Sequence, residues 1–254
     1  MRKLIDIIEG LKIGSKTKVI TYSCKPKDKD ELKKIIKERL EKDKNANLND
    51  IDVSDITDMA YLFHKLNPHN IDISEWNVSN VTDMHGMFEE CRYFNCDLSK
   101  WDVSNVKDMQ AMFHFCDYFN SNISDWDVSS VENMKSMFYY CDNFNFDLGD
   151  WDVSKVEDMT NIFYRCEKFN CDLSKWNVSN VKLMHYMFYC CENFNSDLSN
   201  WDVSKVETMS FMFYGCKNFD YDLSKWNVSN VMKMTAMFSN CTSLKKIPKW
   251  YNKY

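Results

Sequence analysis

Asn95-Cys96-Asp97-Leu98-Ser99-Lys100-Trp101-Asp102-Val103-Ser104-Asn105-Val106-Lys107-Asp108-Met109-Gln110-Ala111-Met112-Phe113-His114-Phe115-Cys116-Asp117-Tyr118-Phe119 returns, with small changes, every 25 residues. Trp76, Trp101, Trp126, Trp151, Trp176, Trp201 and Trp226 keep that interval, and the apolar pattern behind each is the same. A degenerate first copy starts at Ile51-Asp52-Val53-Ser54 with Met59 and Phe63 in register, and the eighth ends near Leu244. Self-similarity at a fixed short period marks a chain built by stacking. One copy has too few apolar side chains to offset the entropy of ordering its own backbone, so neighbours must cover each other's faces.

Within a copy, Leu98, Trp101 and Val103 lie in an Asp/Ser-rich extended run that reads as a short strand with its turn. Val106, Met109, Met112 and Cys116 follow at intervals of three or four, the spacing of a short helix or 3₁₀ arc. The fold class expected is therefore an α/β repeat: a right-handed, LRR-like solenoid of eight 25-residue coils, short parallel strands plus short helical arcs, with an N-terminal helical cap.

The flanks differ from the repeats. The first 50 residues carry 14 Lys/Arg and 9 Asp/Glu, while the rest carries 18 and 29. Asp30 to Lys44 reads as an amphipathic helix with Leu32, Ile35, Ile36 and Leu40 on its apolar stripe and Asp28 or Asp30 as its cap. Thr17 to Cys24 reads as a strand beside the first coil, and Met1 to Gly10, interrupted by Asp6 and Glu9, does not read as an export signal. After Ser243, Pro248 and the lysines break the register. The expected domains are a cap over 1–50, the solenoid over 51–245 and a closing edge over 246–254.

Composition narrows the function. A hydrophobic share of 44% excludes wholesale disorder, and a net charge of −6 argues against a general nucleic-acid binder. No run of 18 uncharged apolar residues could enter a membrane. Five Gly and three Pro leave few conventional tight turns. No P-loop, dinucleotide-binding glycine set, G-x-S-x-G elbow or H-E-x-x-H is present, and no cofactor, metal or catalytic residue is expected.

The string Phe-Asn-x-Asp-Leu-Ser-x-Trp-Asp-Val-Ser-Asn-Val-x-x-Met-x-x-Met-Phe-x-x-Cys, repeated over about residues 50–245, resembles the BspA-like leucine-rich-repeat surface proteins. The resemblance implies an LRR-like solenoid and an interaction role, adhesion or binding to host or matrix proteins, at a surface or outside the cell. That family has no common catalytic set, so the resemblance carries no active-site residue to this chain.

Read down the stack, each column poses its own question. Cys91, Cys116, Cys141, Cys166, Cys191, Cys216 and Cys241 share one column with Leu66, which suits reduced core thiols and a reducing compartment. In the column of Asp52, Asn77, Asp102, Asp127, Asp152, Asn177, Asp202 and Asn227, Asp and Asn interchange, so an oxygen acceptor in an Asx turn is required rather than a charge. A second column, Asp72, Asp97, Asn122, Asp147, Asp172, Asp197 and Asp222, admits either backbone hydrogen bonding or bound cations such as calcium. The column of Asn70, Asn95, Asn120, Asn145, Asn170 and Asn195, with Asp220, and the tryptophans read as structure.

Partner choice is expected where columns vary. Glu89, His114, Tyr139, Tyr164, Tyr189, Tyr214 and Ser239 form one such column, with four stacked tyrosines as a candidate exposed binding stripe. Ile71, Cys96, Ser121, Phe146, Cys171, Ser196 and Tyr221 form another, and Phe146 and Tyr221 become further anchors if it faces outward. The function expected is a non-catalytic scaffold for a protein partner, or a glycan, without nucleic acid or membrane insertion. The rivals are a structural component of a particle or surface layer, assembling through solenoid edges, and a calcium-organised adhesin.

Overall fold

The computed structural model describes residues 20–251. The expected coils of strands and helical arcs are not what the chain forms. Among the described residues there is one α-helix, α1 (Lys29–Lys42), and no strand; successive segments meet only through isolated parallel bridges such as Asp83↔Asp108 and Asp108↔Asn133. The unit is instead a 25-residue coil made almost wholly of tight turns. In one coil, Trp101 N–H donates to Leu98 O, Val106 to Val103, Met112 to Met109, His114 to Ala111, Cys116 to Phe113 and Phe119 to Cys116, each three residues back.

The arc from Met109 to Cys116 fails to become a helix for two reasons. Its alternate amides are taken by the next coil: Met109 donates to Asn133 O (2.9 Å), Ala111 to Lys135 O, Phe113 to Met137 O and Phe115 to Tyr139 O. Ala111 (φ 53°) and Phe115 (φ 57°) also turn into the left-handed region, which no right-handed helix tolerates. Every coil repeats this pair of left-handed residues, and only Gly86 and Gly215 among them are glycine. The low glycine count, which suggests few conventional tight turns, therefore conceals turns built on non-glycine residues. At Gly215 the conformation (φ +74°) combines with a close approach, since a Cβ there would lie 3.0 Å from Cys190 Sγ.

Side chains complete the junctions by reaching back to the preceding coil. Trp101 Nε1 donates to Ile73 O (3.1 Å) and Trp151 Nε1 to Ile123 O (3.2 Å), a bond each repeat tryptophan makes. The column cysteines do the same: Cys116 Sγ donates to Phe88 O at 3.1 Å and Cys166 Sγ to Phe138 O at 2.9 Å. Each thiol fills a small apolar site and also gives a second hydrogen bond to a buried carbonyl that already accepts a backbone N–H, which Leu66 in the same column cannot do. The asparagine column links coils too, Asn145 N–H donating to Asn120 Oδ1 and Asn170 N–H to Asn145 Oδ1. Both Asp/Asn columns close Asx turns: Ser104 N–H donates to Asp102 Oδ1 and Ser99 N–H to Asp97 Oδ1.

The core is a bundle of aromatic columns. Phe63, Phe88, Phe113, Phe138, Phe163, Phe188, Phe213 and Phe238 stack with successive centroids 5.2–5.8 Å apart. Phe94 to Phe219 form a second column against it, and the buried tryptophans a third. The closing edge rejoins this third column. Trp250, only 24 residues after Trp226, stacks on it at 6.3 Å and donates to Leu223 O, while Lys246 pairs with Asp222 and Lys245 with Asp220.

At the other end, α1 follows the helix read from sequence. Asp28 caps it by accepting from Glu31 N–H, Leu32, Ile36 and Leu40 are buried, and Ile35 is half-buried against the core. Its place is in register with the repeats: parallel bridges Cys24↔Ile51 and Asn47↔Asp72 bracket it, so α1 stands where a preceding coil would carry its arc. Lys29 Nζ reaches Asp58 (2.5 Å), Lys33 Nζ reaches Tyr61 O and Lys44 Nζ reaches Leu66 O, fastening it over the first arc. Of the strand expected over Thr17 to Cys24, the described part makes only the single bridge at Cys24; Thr17 to Val19 and the Met1 to Gly10 segment lie outside the described residues.

Gly215→Ala lowers stability by about 1–2 kcal/mol, the cost of a left-handed non-glycine residue with a crowded Cβ, read by urea unfolding; an unchanged midpoint contradicts the left-handed assignment. All eleven cysteines are free, and burial pushes Cys91 up to about 12 and Cys116, Cys141, Cys166, Cys191 and Cys216 well above the usual thiol range. A thiol reagent at pH 8 therefore labels half-buried Cys24 and Cys190 first and leaves those six untouched until the chain unfolds.

Candidate functional site

The second left-handed residue of each arc points the preceding side chain sideways, and successive coils place those side chains one above another. The column so formed begins with His64 and continues through Glu89, His114, Tyr139, Tyr164, Tyr189 and Tyr214. Its rings are stacked: His114 on Tyr139 at 4.6 Å, Tyr139 on Tyr164 at 4.4 Å, Tyr164 on Tyr189 at 4.6 Å and Tyr189 on Tyr214 at 4.8 Å. The four tyrosines are thus brought together as expected, but they are half-buried rather than openly exposed, because each ring is covered by its neighbours. Offset stacking at such distances adds roughly 0.5–1.5 kcal/mol per pair beyond burial. Burial pushes the phenols of Tyr139, Tyr164 and Tyr189 upward, so these rings are neutral across the physiological range.

Two flanking columns widen the stripe into a face. On one side Phe115 stacks on Tyr140 at 4.9 Å, and Arg165 lies over the Tyr140 ring at 5.0 Å with its guanidinium donating to Tyr140 Oη. On the other, Tyr186 and Phe211 stack at 4.9 Å with planes 2° apart and abut Tyr189 and Tyr214. Phe115, Tyr140, Arg165, Tyr186 and Phe211 are all left-handed residues of the arcs. Sequence reading missed them. A signal existed, an aromatic one position after or three before the tyrosine column, but using it required the turn geometry.

The other sequence-derived candidates do not join this face. Phe146 and Tyr221 are half-buried and packed against the hydrophobic core rather than presented as free anchors. Their column is mostly an inward acceptor site: Cys171 Sγ accepts from Leu148 N–H (3.0 Å), and Ser121 and Ser196 Oγ accept from Leu98 and Leu173 N–H. The most exposed aromatics lie elsewhere, at Tyr118 (54%), Tyr22 (47%), Tyr93 (44%) and Tyr61 (38%), toward the N-terminal end. Tyr93 lies tilted against Tyr118 with ring centroids 5.4 Å apart, and with Asn67, Glu90, Arg92 and Phe115 it lines a shallow depression.

Charge beside the face is ordered by column as well. Glu89 lies between His64 Nδ1 (3.2 Å) and His114 Nδ1 (3.3 Å); burial lowers the His114 pKa, with Glu89 opposing. A neighbouring column runs Arg92, Asp117, Asp142, Glu167, Glu192, Lys217. Arg92 pairs with Asp117, Arg165 with Glu167 and Lys217 with Glu192, which leaves Asp142 between two carboxylates with its buried Oδ1 unpartnered. Burial first, then Glu167 and Asp117, raise Asp142 to about 6.

A family model for a repeat-containing family matches the chain twice, over residues 31–149 and 138–250, under the description Mycoplasma protein of unknown function, DUF285. The chain belongs to that family. The match takes in α1 as well as the coils, in keeping with the helix standing in the repeat's own register. No curated protein and no solved structure matches the chain. Among the described residues no helix is long and apolar enough to cross a membrane.

The Asp142 environment yields a signed prediction. A carboxyl whose folded pKa is raised stabilises the fold below its unfolded pKa, about 4, and loses that contribution as pH rises through about 6. Asp142→Asn should therefore melt at a higher temperature than the parent at pH 7.5, with the gap closing below about pH 4. A gap independent of pH, or of opposite sign, refutes the placement of Asp142.

Proposed function

We propose that the chain is a non-catalytic scaffold that binds a protein partner through the aromatic face centred on Tyr139, Tyr164, Tyr189 and Tyr214. The observation that supports it is the stack of these rings at 4.4–4.8 Å, flanked by the Phe115–Tyr140 and Tyr186–Phe211 pairs. The core columns keep the same residue from coil to coil, whereas this face varies along its length, from His and Glu at one end to Tyr at the other. Ring edges and hydroxyls held in a fixed row form a rigid surface that loses little entropy on binding. Since the ring faces already cover one another, a sugar has no free face to stack upon, which favours protein over glycan. The resemblance to BspA-like surface proteins fits a role in adhesion or recognition of host or matrix proteins.

The rival reading, a component that assembles through its edges, is weakened by α1, which covers the first arc and blocks end-to-end addition there. Light scattering after size exclusion is expected to give a monomer mass at all concentrations; a mass that grows with concentration favours assembly.

The binding experiment compares two quadruple variants at Tyr139, Tyr164, Tyr189 and Tyr214, all changed to Ala or all to Phe. Partner capture from the native source should fall at least tenfold for the Ala variant, while Phe, which preserves the stack, should retain most of it. A control changing exposed Tyr93 and Tyr118 to Ala should have no effect. Undiminished capture by a folded Ala variant would falsify the assignment.

A further inference from the structure

Two residues after the cysteine column runs another, Pro68, Tyr93, Tyr118, Asn143, Lys168, Asn193, Asn218. From Asn143 onward its side chains tie each coil to the one before. Asn143 Nδ2 donates to Asp117 O (2.7 Å), Lys168 Nζ to Asn143 Oδ1 (2.6 Å), Asn193 Nδ2 to Glu167 O (2.8 Å) and Asn218 Nδ2 to Asn193 Oδ1 (3.3 Å). At Tyr93 and Tyr118 the same position holds an exposed ring in place of a side chain that ties coils together. The aromatic row is short. His69 meets Tyr93 edge-on at 5.0 Å, Tyr93 lies against Tyr118, and the next coil offers Asn143, so no further ring of this column covers Tyr118. The row therefore ends on an open ring, unlike the tyrosine stripe.

Polar groups gather beside it. The depression lined by Asn67, Glu90, Arg92, Tyr93 and Phe115 has a volume of about 420 Å³, within the ~300–1,000 Å³ of small-molecule sites. Asn67 is held in the left-handed region (φ 46°), and its buried Oδ1 has no hydrogen-bond partner among the described residues. Arg92 Nε lies 3.0 Å from Asp117, and Glu90 lies 3.7 Å from Lys65 Nζ. Each charge of the depression thus has its opposite within the chain, so neither an acidic sugar nor a basic peptide gains much attraction there. What is left to a ligand is a ring face, a carbonyl acceptor, a guanidinium with several donors and a carboxylate that only accepts. These suit a molecule with an apolar C–H face and a rim of hydroxyls, each of which both donates and accepts.

We propose that Tyr93 and Tyr118, with the depression formed by Asn67, Glu90 and Arg92, bind a neutral pyranose sugar. This site is separate from the aromatic face and neither depends on the other.

The test is an NMR titration of the intact chain with three neutral trisaccharides, cellotriose, chitotriose and β-1,4-galactotriose, and with 3′-sialyllactose and hexalysine as charged probes. At least one neutral sugar should shift the amides of Asn67, Glu90, Arg92, Tyr93 and Tyr118 and leave those of Tyr139, Tyr164, Tyr189 and Tyr214 in place. Tyr118→Ala should weaken that binding about tenfold or more, whereas Tyr118→Phe, which keeps the ring, should retain most of it. Asn67→Gly, which tolerates the left-handed conformation but removes the acceptor, should weaken it about fivefold. Unmoved resonances in the coils from Trp151 onward show that each variant is folded. No shift with any neutral sugar up to about 20 mM, shifts centred on the tyrosine stripe, unchanged binding by Tyr118→Ala, or tighter binding of sialyllactose or hexalysine would each overturn the proposal.

Discussion

Everything in this molecule rests on the junction in which alternate amides of one arc donate to carbonyls 24 residues further on, as Met109 does to Asn133 and Phe113 to Met137. Those bonds need the donors of an arc to face one way and its acceptors the other. A β-strand cannot meet that demand, since a strand shows donor and acceptor on both edges. An α-helix cannot meet it sideways, since it spends both groups internally. The coil meets it with turns closed three residues back and two left-handed residues per arc. Left-handed non-glycine residues are each unfavourable by about 1–2 kcal/mol, and an isolated arc would relax away from them. Held between neighbours by backbone bonds on both faces and by aromatic columns, they persist.

The composition follows from the same junction. The turn bonds use only one lone pair of certain buried carbonyls, Ile73 O accepting from Trp76 N–H and Phe88 O from Cys91 N–H, and tryptophan and cysteine supply a second donor from an apolar body. Trp101 reaches Ile73 O and Cys116 reaches Phe88 O, each 28 residues back, so two chemically different residues solve one geometric problem. This explains why the thiols are numerous without being bridged. A disulfide between successive coils would remove the S–H bond from both members and with it two of the contacts that tie each coil to the one before.

How much of this was legible depended on whether the decisive chemistry sat at a single position. The Asp/Asn exchange between Asp102 and Asn177 announced an Asx turn, and Asp28 ahead of an apolar stripe announced α1; both are local needs of one side chain. The arc was misread because Val106, Met109, Met112 and Cys116 have the same spacing whether the backbone is a helix or a chain of three-residue turns. What separates the two is the sign of φ at Ala111 and Phe115, and neither residue type advertises it. The binding face was half legible for a related reason. Stacking of equivalent positions follows from the period alone, so Tyr139 to Tyr214 could be grouped. The neighbours Tyr140, Arg165 and Tyr186 join them only because left-handed turns bring non-equivalent positions side by side. Phe146 and Tyr221 fail as anchors because their column faces the preceding coil's backbone, a direction no periodicity encodes.

Polarity also decides how the first edge is covered. An unpolar stack would present equivalent edges and would need equivalent covers. Here the first edge offers carbonyls, and α1 shields it while Lys33 of α1 donates to Tyr61 O and Lys44, just beyond α1, to Leu66 O, so positive side chains meet the acceptor-rich end.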